Sequence, residues 1–132
     1  MKTLTPTREQ IKELLSHPDN KPLVMINLLK FISGKDGKKD GQRSYNKYTA
    51  AVEPMLKKVG GRLLWMGSVS QVFIGLSEDH WDMVLLVEYP SREAFMQMIS
   101  SREYLDAHKY REAGLENSVL LASTTLFSQV GQ

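Results

Sequence analysis

Two stretches of this chain are apolar on both side-chain parities, and few folds accept that. In residues 22–31, Leu23, Met25 and Leu29 fall on one side of an extended strand and Val24, Ile26 and Leu28 on the other. Residues 81–89 repeat the pattern, with Met83, Leu85 and Val87 against Val84 and Leu86. Successive strand side chains point to opposite faces, so strands of this kind are covered on both sides. The second strand runs into Pro90-Ser91 and an amphipathic helix with Ala94, Phe95, Met98 and Ile99 facing inward. Glu93 lies in its first turn, where the helix dipole favours an anion. The rest of the chain reads as layers placed against this strand-to-helix unit, residues 83–99.

Ahead of it, Thr5 or Thr7 can cap a short helix over residues 7–16, with Pro6 near its start and Ile11, Leu14 and Leu15 as its apolar stripe. His17-Pro18 ends that helix, because proline turns its predecessor away from helical angles. Residues 33–43, S-G-K-D-G-K-K-D-G-Q-R, carry three glycines and six charges and read as a surface loop. Lys35, Lys38, Lys39 and Arg43 could grip an anion there. The two aspartates offset them, and the spacing matches neither a phosphate-binding loop nor a calcium loop.

Residues 44–59 predict a helix, with Tyr45, Tyr48, Val52, Met55, Leu56 and Val59 at three- and four-residue steps. Pro54 inside it predicts a kink or a late first turn, and Gly60-Gly61 a stop. Residues 62–76 predict a long strand, with Gly67 and Gly75 as bends. A turn over 77–80 would return the chain as residues 81–89, making a hairpin. Ser100-Ser101-Arg102-Glu103 reads as a capping box that restarts a helix over 102–112. Residues 117–127 predict the last strand, and 128–132 a loose tail.

Setting the first helix aside, the order is strand-helix-strand twice over. That is the α+β, ferredoxin-like split βαβ pattern: a four-stranded antiparallel sheet with helices on one face. The expected organisation is one domain, 1–132, with residues 1–20 as a helical extension and 22–127 as the core. The helices cover one face only. The other would expose an apolar patch larger than monomers tolerate, which points to a second sheet from an identical subunit.

Composition narrows the function classes. The chain has 132 residues, 42% of them hydrophobic, and a formal net charge of +2. No basic stripe with interleaved aromatics is evident, so nucleic acid is not an expected partner. Without cysteine there are no disulfides, thiolate metal sites or cysteine nucleophiles, which suits a reducing cytoplasm. The N-terminus is polar, and the longest apolar run, residues 23–29, is far too short to span a bilayer. The expectation is a cytoplasmic homodimer that does not engage membranes.

Four segments carry a family resemblance: Y-N-K-Y opening the second helix, G-G-R-L-L-W-M-G after it, V-E-Y-P-S-R-E-A-F at the third strand, and S-R-E-Y-L-D-A-H-K-Y-R-E-A-G beyond. Over residues 22–127 the chain resembles the dimeric α/β-barrel superfamily, in its branch of small bacterial proteins carrying a domain of unknown function. It is distantly similar to antibiotic-biosynthesis monooxygenases. The resemblance implies a homodimer whose two sheets close into a dimeric α/β barrel, with ligands between each sheet and its own helices. Relatives include cofactor-independent monooxygenases, muconolactone isomerases, polyketide cyclases and haem-dependent enzymes. The N-terminal helix and the 33–43 loop depart from the short members.

Three sets of residues are candidates for chemistry. Tyr104, His108 and Arg111 share one helix face at steps of four and three. His108 could be a general base and Arg111 could hold a carboxylate or enolate; equally, Tyr104 could be a core anchor and the other two surface polar groups. The branch pattern also has an arginine at position 111. Glu88, the one charge on an apolar strand, must be paired, hydrogen-bonded or neutral, and a pair with Arg111 would be structural or catalytic. Asn27, Trp65 and Tyr48 are of the types that related monooxygenases use around a phenolic substrate; alternatively Asn27 bonds nearby backbone and Trp65 fills core. Asp79, His80 and Asp82 lack the convergence of a metal site, so no metal is expected. Haem would need His108 as axial ligand, and no cofactor is expected. The functional expectation is a cofactor-independent enzyme of oxygenase, isomerase or cyclase type acting on a small aromatic or oxo-acid compound; the alternative is a non-catalytic ligand-binding or structural homodimer.

Overall fold

A computed structural model describes residues 4–76, 78 and 80–130. Helix α1 (Arg8–Ser16) starts at Thr7, whose hydroxyl accepts from the Gln10 amide while the Gln10 side chain accepts from the Thr7 amide. Strand β1 (Leu23–Phe31) leads to helix α2 (Lys39–Lys58), strands β2 (Arg62–Ser68) and β3 (Met83–Tyr89), helices α3 (Arg92–Ile99) and α4 (Arg102–Gly114), and strand β4 (Leu115–Ser123). The strands lie in the order β2-β3-β1-β4, all antiparallel. This is the expected α+β ferredoxin-like arrangement, with the additional N-terminal helix.

Register sorts the two apolar parities of the central strands. Leu23, Met25, Leu29 and Phe31 of β1, Leu85 and Tyr89 of β3, and Leu115 of β4 pack under α2, α3 and α4. The opposite face carries two apolar rows that cross the whole sheet, Trp65–Leu86–Ile26–Leu121 and Gly67–Val84–Leu28–Val119. Trp65 and Leu121 in these rows are about half exposed.

Several boundaries differ from the sequence expectation. Helix α2 begins at Lys39 and absorbs the end of the predicted loop. Gly41 makes this possible: a Cβ there would stand 2.5 Å from the Ile32 carbonyl oxygen and 2.6 Å from that of Gly114. Gly114 meets it reciprocally, its own Cβ position lying 2.5 Å from the Gly41 oxygen. The two glycines serve a backbone-to-backbone crossing of α2 and α4 rather than loop flexibility. Pro54 lies within the continuous α2. Strand β2 stops at Ser68, so the β2–β3 connection is longer than a hairpin turn. The break between α3 and α4 falls as expected, but the cap is Ser101, whose hydroxyl accepts from the Tyr104 amide. Strand β4 starts at Leu115 and ends at Ser123, earlier at both ends than expected.

The β2–β3 connection is fastened by Asp82. One carboxylate oxygen accepts from the Phe31 amide at 2.8 Å and from Lys38 Nζ at 2.9 Å; the other lies 3.2 Å from His80 Nε2. Asp79, the third member of the discounted metal trio, lies outside the described residues. No group of three or more His, Asp or Glu positioned to hold a metal occurs among the described residues, nor is any helix long and apolar enough to cross a membrane.

Candidate functional site

Between the helix-side face of the sheet and helices α2 and α4 lies a cavity of about 1620 Å³ that runs on beneath the N-terminal segment. Its floor is built from strand rows: Met25, Leu85 and Val87, with Asn27 and Leu120 paired across β1 and β4. Its walls carry Tyr45 and Tyr48 from α2 and Tyr104, His108 and Arg111 from α4. Helical spacing delivers these side chains to one side, since residues three and four apart share a face.

Arg111 is 5% exposed. Its Nη1 donates to the Leu4 carbonyl oxygen at 3.2 Å, and no carboxylate lies within ion-pair distance of it among the described residues. Burying a guanidinium without a counter-charge is costly. The surrounding groups that feel its charge are phenols. The Tyr48 and Tyr104 hydroxyls share a hydrogen bond of 2.8 Å, and Tyr45 packs against Tyr48. Burial pushes the Tyr45 phenol up to about 12 against the pull of Arg111. Burial also holds Tyr48 well above the ordinary tyrosine range, with the Tyr104 and Tyr45 phenols adding to it. Tyr104 is raised by burial too, but the hydrogen bond it shares with Tyr48 and the charge of Arg111 both draw it back.

His108 is one turn away, its side chain 17% exposed, with Nδ1 3.1 Å from Glu112 Oε1. When Nδ1 donates to that carboxylate, Nε2 keeps its lone pair and can take a proton. Asn27 Nδ2 donates to the Met25 carbonyl at 3.3 Å. This is the neighbouring-backbone bond foreseen as one alternative, made by a residue that also lines the cavity.

The cavity thus gathers Asn27, Tyr48, Tyr104, His108 and Arg111, and leaves two candidates elsewhere. Glu88 does not pair with Arg111. It shares the parity of Val84 and Leu86, so it faces away from the helices, and Oε1 accepts from Arg62 Nε at 3.0 Å. Trp65 also stands on that open face, its ring over Gly67, after a bulge between Leu63 and Trp65 resets the register of β2. Sequence reasoning missed Tyr45, whose apolar periodicity concealed its position beside Arg111. It also missed Arg92, at the first turn of α3, where an arginine ordinarily reads as a surface residue. Arg92 is 8% exposed, lines the same cavity, and donates to the Leu14 carbonyl at 3.4 Å.

A ferredoxin-like sheet with a polar-walled cleft under its helices defines the class. Residues 38–125 match the domain of unknown function DUF1330, and the chain belongs to that family. Among solved structures, the RPA0582 protein of Rhodopseudomonas palustris, itself of unknown function, is 30% identical with a TM-score of 0.88, covering 97% of this chain and 100% of that one. More distant structures share the fold alone. A dimeric ferredoxin-like protein of unknown function from Bacteroides fragilis is 15% identical, with a TM-score of 0.56 over 79% of this chain and 96% of that one. A protein provisionally named as an antibiotic biosynthesis monooxygenase, from Nitrosomonas europaea, is 12% identical, with a TM-score of 0.58 over 84% and 96%. No curated protein matches the sequence.

Proposed function

We propose that this protein, as a homodimer, binds a small organic anion on an apolar body and transfers a proton on it without a cofactor. The ligand is a carboxylate or enolate of an aromatic or oxo-acid compound. The observation that carries this reading is Arg111: a buried guanidinium on a cavity wall, with no carboxylate partner among the described residues. An anionic ligand supplies the missing counter-charge through charge-assisted hydrogen bonds. The apolar floor from Met25, Leu85 and Val87 accommodates the body of such a ligand.

In this reading, His108 Nε2 removes a proton from the carbon next to a carbonyl, with Glu112 holding Nδ1. The negative charge that moves onto the carbonyl oxygen is held by Arg111 and by the Tyr48–Tyr104 hydroxyls. Return of the proton from the imidazolium to a carbon completes an isomerisation. Each group in that sequence belongs to the chain.

The test uses phenylpyruvate and benzoate against the neutral isostere benzamide. Calorimetry should show the acids binding at least tenfold more tightly than the amide, and Arg111→Met should abolish that preference. Failure of both acids to bind overturns the reading. Deuterium uptake at the methylene of phenylpyruvate, followed by proton NMR, should be accelerated by the protein and slowed at least tenfold by His108→Ala. Tight acid binding with uptake at the solvent rate would favour the second reading, a non-catalytic binding dimer. That reading has its own support, because the Asn27 amide and one Arg111 nitrogen are already satisfied by chain carbonyls.

A further inference from the structure

The anion anchor is not empty-handed. Arg111 reaches across the cavity to the Leu4 carbonyl, and Arg92 to the Leu14 carbonyl. These two bonds tie both ends of one segment, from Leu4 through most of α1, to the two buried arginines of the cavity. The Leu4 side chain packs on the cluster around Phe31 and Leu115, and Leu14 on the cluster around Tyr89 and Phe95. The segment therefore lies along the cavity, and Gln10 and Ile11 help to line it.

We infer that residues 4–16 are a displaceable lid, and that the Leu4 carbonyl occupies the position on Arg111 that the anionic group of a ligand takes. This rests on the reading of the cavity as an anion site and adds how a ligand gains access. Three observations support it. Both tethers are single bonds from a guanidinium to a neutral carbonyl, whereas a carboxylate at the same guanidinium brings the opposite charge and can accept two parallel bonds. Helix α1 has no fully buried residue, so the apolar contact that opposes its release is confined to the half-buried Ile11 and Leu14. The segment behind it is pinned: the Asp19 carboxylate accepts from the Thr124 hydroxyl and from the Lys21 amide. The lid thus pivots about residues 17–19 and stays attached beside β4.

Release has a direct readout. A nine-residue helix is too short to persist without the body it packs on. Its amides then exchange with solvent at rates near those of an unstructured peptide. The experiment is amide hydrogen exchange on the full chain: wild type alone, wild type with saturating benzoate, and Arg111→Met. The expected result is exchange at least tenfold faster over residues 8–16 in both perturbed samples, with β1 and β3 amides unchanged. Calorimetry reports separately whether benzoate binds. If benzoate binds and the α1 amides exchange as slowly as before, the lid is overturned while the anion site stands. If benzoate does not bind, the anion site fails, and Arg111→Met decides the lid: unchanged exchange over residues 8–16 overturns it, and faster exchange upholds the anchoring of this segment by Arg111.

Discussion

The phenol oxygens of Tyr48 and Tyr104 lie 2.8 Å apart and join α2 to α4 at the wall of the cavity. Their rings meet nearly edge to face, 6.0 Å between centroids. Tyr48→Phe or Tyr104→Phe removes one hydroxyl and strands the other, at a cost of about 1–2 kcal/mol each. The double variant should cost little more than either single one, because the bond is lost once. Denaturant midpoints of the three variants check this; strict additivity would mean that the hydroxyls do not cooperate.

Alkaline titration should separate the tyrosines. Tyr45, Tyr48, Tyr89 and Tyr104 all have raised phenol pKa values, burial being the largest cause at each. Groups raised in the folded state contribute stability that is complete below the unfolded value of about 10. That contribution declines as pH rises toward their folded values, about 12 for Tyr45. These four phenols should therefore contribute little tyrosinate absorbance at about pH 10 to 11 in the folded protein, then ionise together as it unfolds. Ionisation of Tyr45, Tyr48, Tyr89 and Tyr104 near about pH 10 in the folded protein would contradict the buried cluster.

Asp82 should act as a latch with the opposite pH dependence. Burial raises its carboxyl pKa, but the bonds from Lys38 and the Phe31 amide outweigh that and leave it below the ordinary value. A depressed pKa stabilises the fold above the unfolded value of about 4, and the benefit is lost as pH falls through the folded value. Asp82→Asn should lower stability by about 1–2 kcal/mol near neutral pH. The gap between wild type and variant should shrink as pH falls below the ordinary carboxylate value of about 4, which denaturation at neutral and acid pH measures.

The open sheet face should hold a second copy of the chain. The rows through Leu86 and Leu28 run apolar from one edge of the sheet to the other. Sedimentation velocity at micromolar concentration should show a dimer, and Leu86→Glu should convert it to monomer by placing a charge in the buried interface. A wild-type monomer at that concentration would remove the reason for this face to be apolar.

The fold was legible because hydrophobic periodicity and punctuation are local. The Ser91 cap, the Gly60-Gly61 stop and the step from strand period to helix period at Pro90 each needed only a few neighbouring residues. The site was legible in part for the same reason. Tyr104, His108 and Arg111 stand on one α4 face because helical spacing puts them there. Glu88 could not be placed that way. Both parities of β3 are apolar, so nothing local says which one the helices cover, and its partner Arg62 comes from a strand whose register is reset by a bulge. The same bulge governs Trp65. The Leu4 and Leu14 carbonyls were invisible, since a backbone acceptor leaves no mark on residue identity.

The crossing of α2 and α4 at Gly41 and Gly114 has a consequence for redesign. The helices meet there through main-chain atoms, so their spacing at that crossing does not depend on the side chains that line the cavity. Libraries that vary Asn27, His108 and Leu120 can be screened for new ligands without carrying compensating changes for that crossing. The same two positions must be held constant in such libraries, because any side chain larger than hydrogen would part the walls before a ligand could be tried.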